Sequence, residues 1–130
     1  MSGDKPRILV VEDNRETQLI LKAVFRNNYL LQFSESEDDA TNIFSKEEFD
    51  IILLDFNLKG SGNGRSLLKR IREGDNHSGI PVLVISAYDL NPDDEKFFNS
   101  NADGFLPKPV NKKLLLQTIE NILDKEHKKS

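Results

Sequence analysis

Four places in this sequence carry side chains that could act together on a phosphoryl group. They are the adjacent acids Glu12 and Asp13, the acid Asp55, the hydroxyl of Ser86, and Lys108 just ahead of Pro109. Three carboxylates brought close together repel one another, and a hard divalent cation is the usual way to keep them ionised. Mg²⁺ suits such a cluster, because it takes one or two carboxylates, several waters and a phosphate oxygen in octahedral ligation. An ammonium at Lys108 would neutralise a second phosphoryl oxygen and the Ser86 hydroxyl would bond the third. Each residue taken alone has a plainer role. Glu12 and Asp13 could cap a following helix, Asp55 could end a strand in a turn, Ser86 could bond to backbone, and Lys108 could be a solvated loop lysine. Only their conjunction points to chemistry.

That conjunction requires elements that deliver all four places to one edge. Aliphatic and β-branched runs at Ile8 to Val11, Leu30 to Phe33, Ile51 to Leu54 and Val82 to Ile85, with a weaker fifth at Phe105 and Leu106, read as strands. Their near-continuous apolarity is the pattern of a parallel sheet covered on both faces. Between them, Arg15 to Asn27 places Leu19, Ile20, Ala23 and Val24 on one helical stripe, and the last segment places Leu115, Ile119, Ile122 and Leu123 on another. Weaker helices fit Glu37 to Lys46, Gly64 to Glu73 and Pro92 to Ser100, where the acids Asp93, Asp94 and Glu95 favour a helix amino end. Five strand-helix units with short connections predict a parallel sheet doubly wound by right-handed crossovers, whose ligands bind at the carboxyl ends of the strands. Glu12, Asp13, Asp55, Ser86 and Lys108 all follow strands and fall at that edge.

Composition narrows the function classes. The 130 residues suit one domain, with 37% hydrophobic and 31% charged residues in the range of a soluble globular protein. A net charge of −4 and a pI near 5.2 argue against non-specific nucleic-acid binding. The absence of cysteine excludes disulfides and thiol chemistry and fits a cytoplasmic location. No apolar run approaches the roughly 20 residues of a membrane span. The domain core is expected over about residues 6–125, with Met1 to Pro6 and Lys125 to Ser130 disordered.

With these residues in view, the chain resembles the receiver domain of two-component response regulators, in the manner of single-domain chemotaxis-type regulators. The likeness runs from Ile8-Leu9-Val10-Val11-Glu12-Asp13 through Ile51-Ile52-Leu53-Leu54-Asp55 to Ala102-Asp103-Gly104-Phe105-Leu106-Pro107-Lys108-Pro109. The resemblance implies a flavodoxin-like (βα)5 sheet of order 2-1-3-4-5, an order for which a member of this family is a standard example. It implies that Asp55 accepts a phosphoryl group from a histidine kinase, a histidine phosphotransfer protein or a small phosphodonor. Asp13, Asp55 and the main-chain carbonyl of Asn57 would bind Mg²⁺, or Mn²⁺ in its place, with Glu12 acting through water. Ser86 and Lys108 would contact the phosphoryl oxygens, Ser86 and Phe105 would form the switch, and Asn57 and Tyr88 would flank access to the phosphoryl site. A downstream protein would read the face of the fourth helix, fifth strand and fifth helix. Such a domain is not a conventional enzyme, although it catalyses its own phosphorylation and dephosphorylation.

Some residues depart from the family pattern. Lys59 stands where many receivers carry proline, and Gly60-Ser61-Gly62-Asn63-Gly64 places the helix-starting glycine one residue late, which implies a one-residue insertion. Tyr88 is expected to slow hydrolysis by its bulk, and His77 reads as a solvated loop histidine. A flavin cradle, a Walker loop and a haloacid-dehalogenase aspartate pair are each absent from the sequence. The remaining alternative is a phosphorylation-independent pseudo-receiver that serves as an interaction scaffold.

Overall fold

The computed structural model of the protein describes residues 5–56, 64–74, 79–86 and 92–129, with side chains to residue 125. The elements alternate as the apolar periodicity requires. They are β1 (Arg7–Val11), α1 (Arg15–Phe25), β2 (Leu30–Ser34), α2 (Glu37–Phe44), β3 (Ile51–Asp55), α3 (Gly64–Glu73), β4 (Val82–Ser86), α4 (Pro92–Asn101), β5 (Gly104–Pro107) and α5 (Lys112–Lys129). The strands are parallel in the order β2-β1-β3-β4-β5.

Alternation along each strand divides the core into two layers. Leu9, Val11, Ile52, Leu54, Val82 and Val84 meet Ala40, Phe44, Leu67, Leu68, Ile71 and Phe98 from α2, α3 and α4. On the opposite face Ile8, Val10, Ile51, Leu53, Leu83 and Ile85 meet Leu21 and Phe25 of α1 and Leu115, Ile119, Ile122 and Leu123 of α5. Every residue of β3 and β4 is therefore buried, which accounts for their unbroken apolarity. The expected α5 stripe is the one that packs.

Three expectations are corrected. In α1 the buried residues are Leu21 and Phe25, whereas Leu19 is 67% and Ile20 47% exposed and Ala23 also faces out. The helix is apolar around much of its circumference, and the sheet takes the side that buries the large Phe25 ring, against which Tyr29 stands edge-on at 5.5 Å. β2 is an edge strand, so Leu30 is 51% exposed and Gln32 faces outward. Helix α5 continues to Lys129, where disorder was expected from Lys125. The segment Leu123 to Lys129 holds no glycine or proline that would end the helix. At the other end Pro6 is tied in, its carbonyl accepting from the Leu30 amide at 2.9 Å.

Helix α3 starts hard against the end of β3. A Cβ on Gly64 would lie 2.8 Å from the Phe56 Cα and 3.2 Å from its ring. The glycine thus serves a close backbone approach immediately beyond Asp55. Gly64→Ala is expected to cost about 1–3 kcal/mol, because the backbone must shift to admit the methyl group. A lower urea midpoint with an unchanged slope checks it.

Candidate functional site

The strand register gathers the site. Val11 pairs with Leu54, Asp55 with Ile85, and Ser86 with Pro107. Glu12 therefore leaves β1 level with Asp55, and Lys108 follows one step beyond Pro107. Main-chain bonds fix these exits: the Glu12 amide donates to the Ser34 carbonyl, Phe56 to Ile85 and Lys108 to Ser86, each at 2.8 Å. The Lys108–Pro109 peptide is cis.

The three acidic side chains and the Lys108 ammonium come together. Glu12, Asp13 and Asp55 each offer a carboxylate oxygen, and these atoms all lie within 4.8 Å of one another. Glu12, Asp55 and Ser86 are buried and Asp13 is half-buried. The Lys108 ammonium is 3.1 Å from Asp55 Oδ1 and 3.9 Å from Glu12 Oε1. Burial, followed by a hydrogen bond and charge repulsion from Asp55, pushes the Glu12 carboxyl up to about 7, against the Asn14 amide and Lys108. Among the described residues Lys108 brings one ammonium to three carboxylates, and a divalent cation there would add further positive charge. An all-oxygen donor set with two buried acids fits Mg²⁺.

Glu12 and Asp13 do not cap α1, which removes their plainer reading. The cap is Asn14, in extended conformation, whose Oδ1 accepts from the Thr17 amide at 2.9 Å. A helix starting at Arg15 already pointed to that cap, so the signal was present in the sequence. The Asn14 amide in turn donates to Glu12 Oε2 at 3.1 Å. Two other features carried no sequence signal. Buried Glu37 accepts from Ser66 Oγ and Arg70 Nε, both at 2.9 Å, tying α2 to α3. Phe56 meets Phe98 edge-on at 4.9 Å, while Arg65 lies 4.5 Å over the Phe97 ring and bonds Asp94 at 2.8 Å, tying α4 to the elements beside Asp55. Asp94 thus does more than favour the start of α4.

Phe105 is partly exposed on β5, beside buried Leu106. Asn57, Lys59, Gly60 to Asn63, His77 and Tyr88 lie outside the described residues, so the expectations placed on them carry no geometry here. Among the described residues, no helix is long and apolar enough to cross a membrane.

Comparison with known proteins agrees with this fold. A family model described as the response regulator receiver domain matches residues 8–120. Protein PetR of Rhodobacter capsulatus is 31% identical over 124 residues, covering 95% of this chain and 51% of PetR. Protein PilH of Pseudomonas aeruginosa is 27% identical over 118 residues, covering 90% of this chain and 97% of PilH. The chain spans about half the length of PetR and 14% of the sensor protein GacS of Pseudomonas syringae. A CheY-like receiver domain protein from Methanospirillum hungatei superposes with a TM-score of 0.89 at 24% identity, covering 98% of this chain and all of that one. The receiver domain of sensor histidine kinase PA1611 from Pseudomonas aeruginosa, solved with a magnesium ion in its active-site cleft, gives 0.84 at 24% identity, covering 93% and 99%. At these identities the two structures speak for the fold.

Proposed function

Because this chain belongs to the response regulator receiver domain family, we propose that Asp55 is its phosphoryl acceptor and that phosphorylation switches a protein-binding surface. The observation that carries this reading is the buried Asp55 carboxylate, set between the Lys108 ammonium at 3.1 Å and two further carboxylates. An Asp55 oxygen attacks phosphorus of a phosphohistidine on a kinase or phosphotransfer protein. The P–N bond breaks as the P–O bond forms, and the imidazole leaves carrying a proton. Lys108 stays beside the reacting oxygens and balances their charge, and the Ser86 hydroxyl donates to a phosphoryl oxygen. Asp13, Asp55 and the Asn57 carbonyl would hold Mg²⁺, or Mn²⁺ in its place, with Glu12 contributing through water. Bound there, the cation supplies charge neutralisation for the incoming phosphoryl group.

The modified side chain carries about two negative charges in place of one and three strong acceptors, enough to bias a bistable loop. Ser86 then moves toward the phosphoryl group, Phe105 turns inward, and the face of α4, β5 and α5 changes its preference for a downstream protein. By family likeness Asn57 and Tyr88 would be the side chains that govern the access of water. On this reading residues 1–130 hold one receiver domain working in the cytoplasm, a signalling module that catalyses only its own modification.

Intact mass after incubation with acetyl phosphate is expected to show a single phosphoryl adduct, mapping to Asp55 and lost when Mg²⁺ is chelated. A folded chain taking no adduct from acetyl phosphate or from a panel of histidine kinase domains would favour the scaffold reading instead.

A further inference from the structure

Gln18 is half-buried one turn into α1 and holds the Glu12–Asn14 segment at two points. Its side-chain Nε2 reaches back six residues to donate to the Glu12 carbonyl at 2.6 Å, and its main-chain amide donates to the Asn14 carbonyl at 3.0 Å. The same side-chain amide lies 3.5 Å from Glu35 Oε2. The peptide joining Glu12 to Asp13 is a rigid plane, so the direction of the Glu12 carbonyl sets the plane from which the Asp13 backbone continues. Further ties in this segment include the Glu12 amide to Ser34, the Asn14 amide to Glu12 Oε2, the Lys108 ammonium 3.9 Å from Glu12 Oε1, and the Asn14 cap on Thr17. None of these bonds is made to the Glu12 carbonyl itself, the atom that the Gln18 side chain engages.

We infer that Gln18 is a positioning residue of the divalent-cation site, aiming the Asp13 carboxylate by fixing the Glu12–Asp13 peptide plane. The inference rests on the Mg²⁺ reading above. It extends to the backbone a general property of metal sites, in which groups that orient the ligands weigh heavily on affinity.

Two substitutions separate positioning from charge. Gln18→Met keeps the length and loses the donor. Gln18→Glu replaces the donor by an acceptor facing a carbonyl, while adding a negative charge near the cluster. Charge alone would make Gln18→Glu bind cations more tightly than wild type. Positioning predicts that Gln18→Met raises the Mg²⁺ dissociation constant roughly tenfold, and that Gln18→Glu binds no more tightly than wild type. Calorimetric titration of the unphosphorylated proteins with MgCl₂ at pH 8 reads both, with circular dichroism confirming the fold. A Gln18→Met constant within twofold of wild type, or tighter binding by Gln18→Glu, would overturn the inference. Wild type that takes up no Mg²⁺ would overturn the cation site itself and this role with it.

Discussion

Asp55→Asn is expected to take up no phosphoryl group from acetyl phosphate or a phosphohistidine donor, a fall on the order of a thousandfold or more, while keeping nearly wild-type stability. The first part follows from chemistry, since the amide oxygen is a poor nucleophile. The second follows from two opposing charge effects. Losing the Asp55 charge forfeits its attraction to Lys108 at 3.1 Å, a gross value of roughly 5 kcal/mol at an effective dielectric of 20. It also relieves repulsion from Glu12 and Asp13, whose oxygens lie within 4.8 Å, at roughly 3 kcal/mol or more for each ionised neighbour. Glu12, pushed up to about 7, is only part-ionised near neutrality, so the two effects come close to cancelling. The shape is conserved, and Lys108 keeps Glu12 at 3.9 Å. Intact mass reads the first effect and urea unfolding of the metal-free domain the second. An adduct on the folded variant would move the acceptor elsewhere.

The parts of this site that were legible in the sequence are those that follow from strand order alone. Once β1, β3, β4 and β5 are parallel, the residues after each must lie at one edge, so Glu12, Asp13, Asp55, Ser86 and Lys108 could be assembled without coordinates. The α1 face was not legible, because Leu19-Ile20-Leu21 and Ala23-Val24-Phe25 surround the helix with apolar groups, and periodicity cannot choose among its sides. The position of β2 at the sheet edge was implied by the family order, yet its apolar run gave no sign that Leu30 would face outward. Least legible were contacts that depend on side-chain reach. Gln18 bonding back to the Glu12 carbonyl, Ser66 and Arg70 closing on Glu37, and Gly64 lying against Phe56 are each set by how two elements dock. These contacts surround the legible residues and hold them in register. Which residues meet at this edge can thus be read from residue types and strand order, while the rigidity of their setting cannot.

Lys108→Met is expected to behave in the opposite way to Asp55→Asn, as a destabilised domain that Mg²⁺ restores. Here attraction is lost without any relief of repulsion. The gross terms are roughly 5 kcal/mol from Asp55 and, because Glu12 is only part-ionised near neutrality, roughly 2 kcal/mol from Glu12 at 3.9 Å, and three carboxyl groups remain crowded, two of them buried. Desolvation of the lysine and its partial exposure reduce the net cost, so a loss of about 3 kcal/mol is expected for the metal-free protein near neutrality. Methionine fills most of the volume of the lysine stem, which confines the effect to charge. A divalent cation among the same oxygens should recover most of the loss by linkage, since it binds the folded cluster and not the unfolded chain. Phosphoryl uptake should remain impaired by roughly 10²-fold even with saturating Mg²⁺, because the cation does not replace the second positive charge on the transferring oxygens. Thermal unfolding with EDTA and with Mg²⁺, beside the rate of adduct formation, separates the two roles. Equal destabilisation with and without the cation would mean that Lys108 acts by packing and that the carboxylate cluster needs no positive charge.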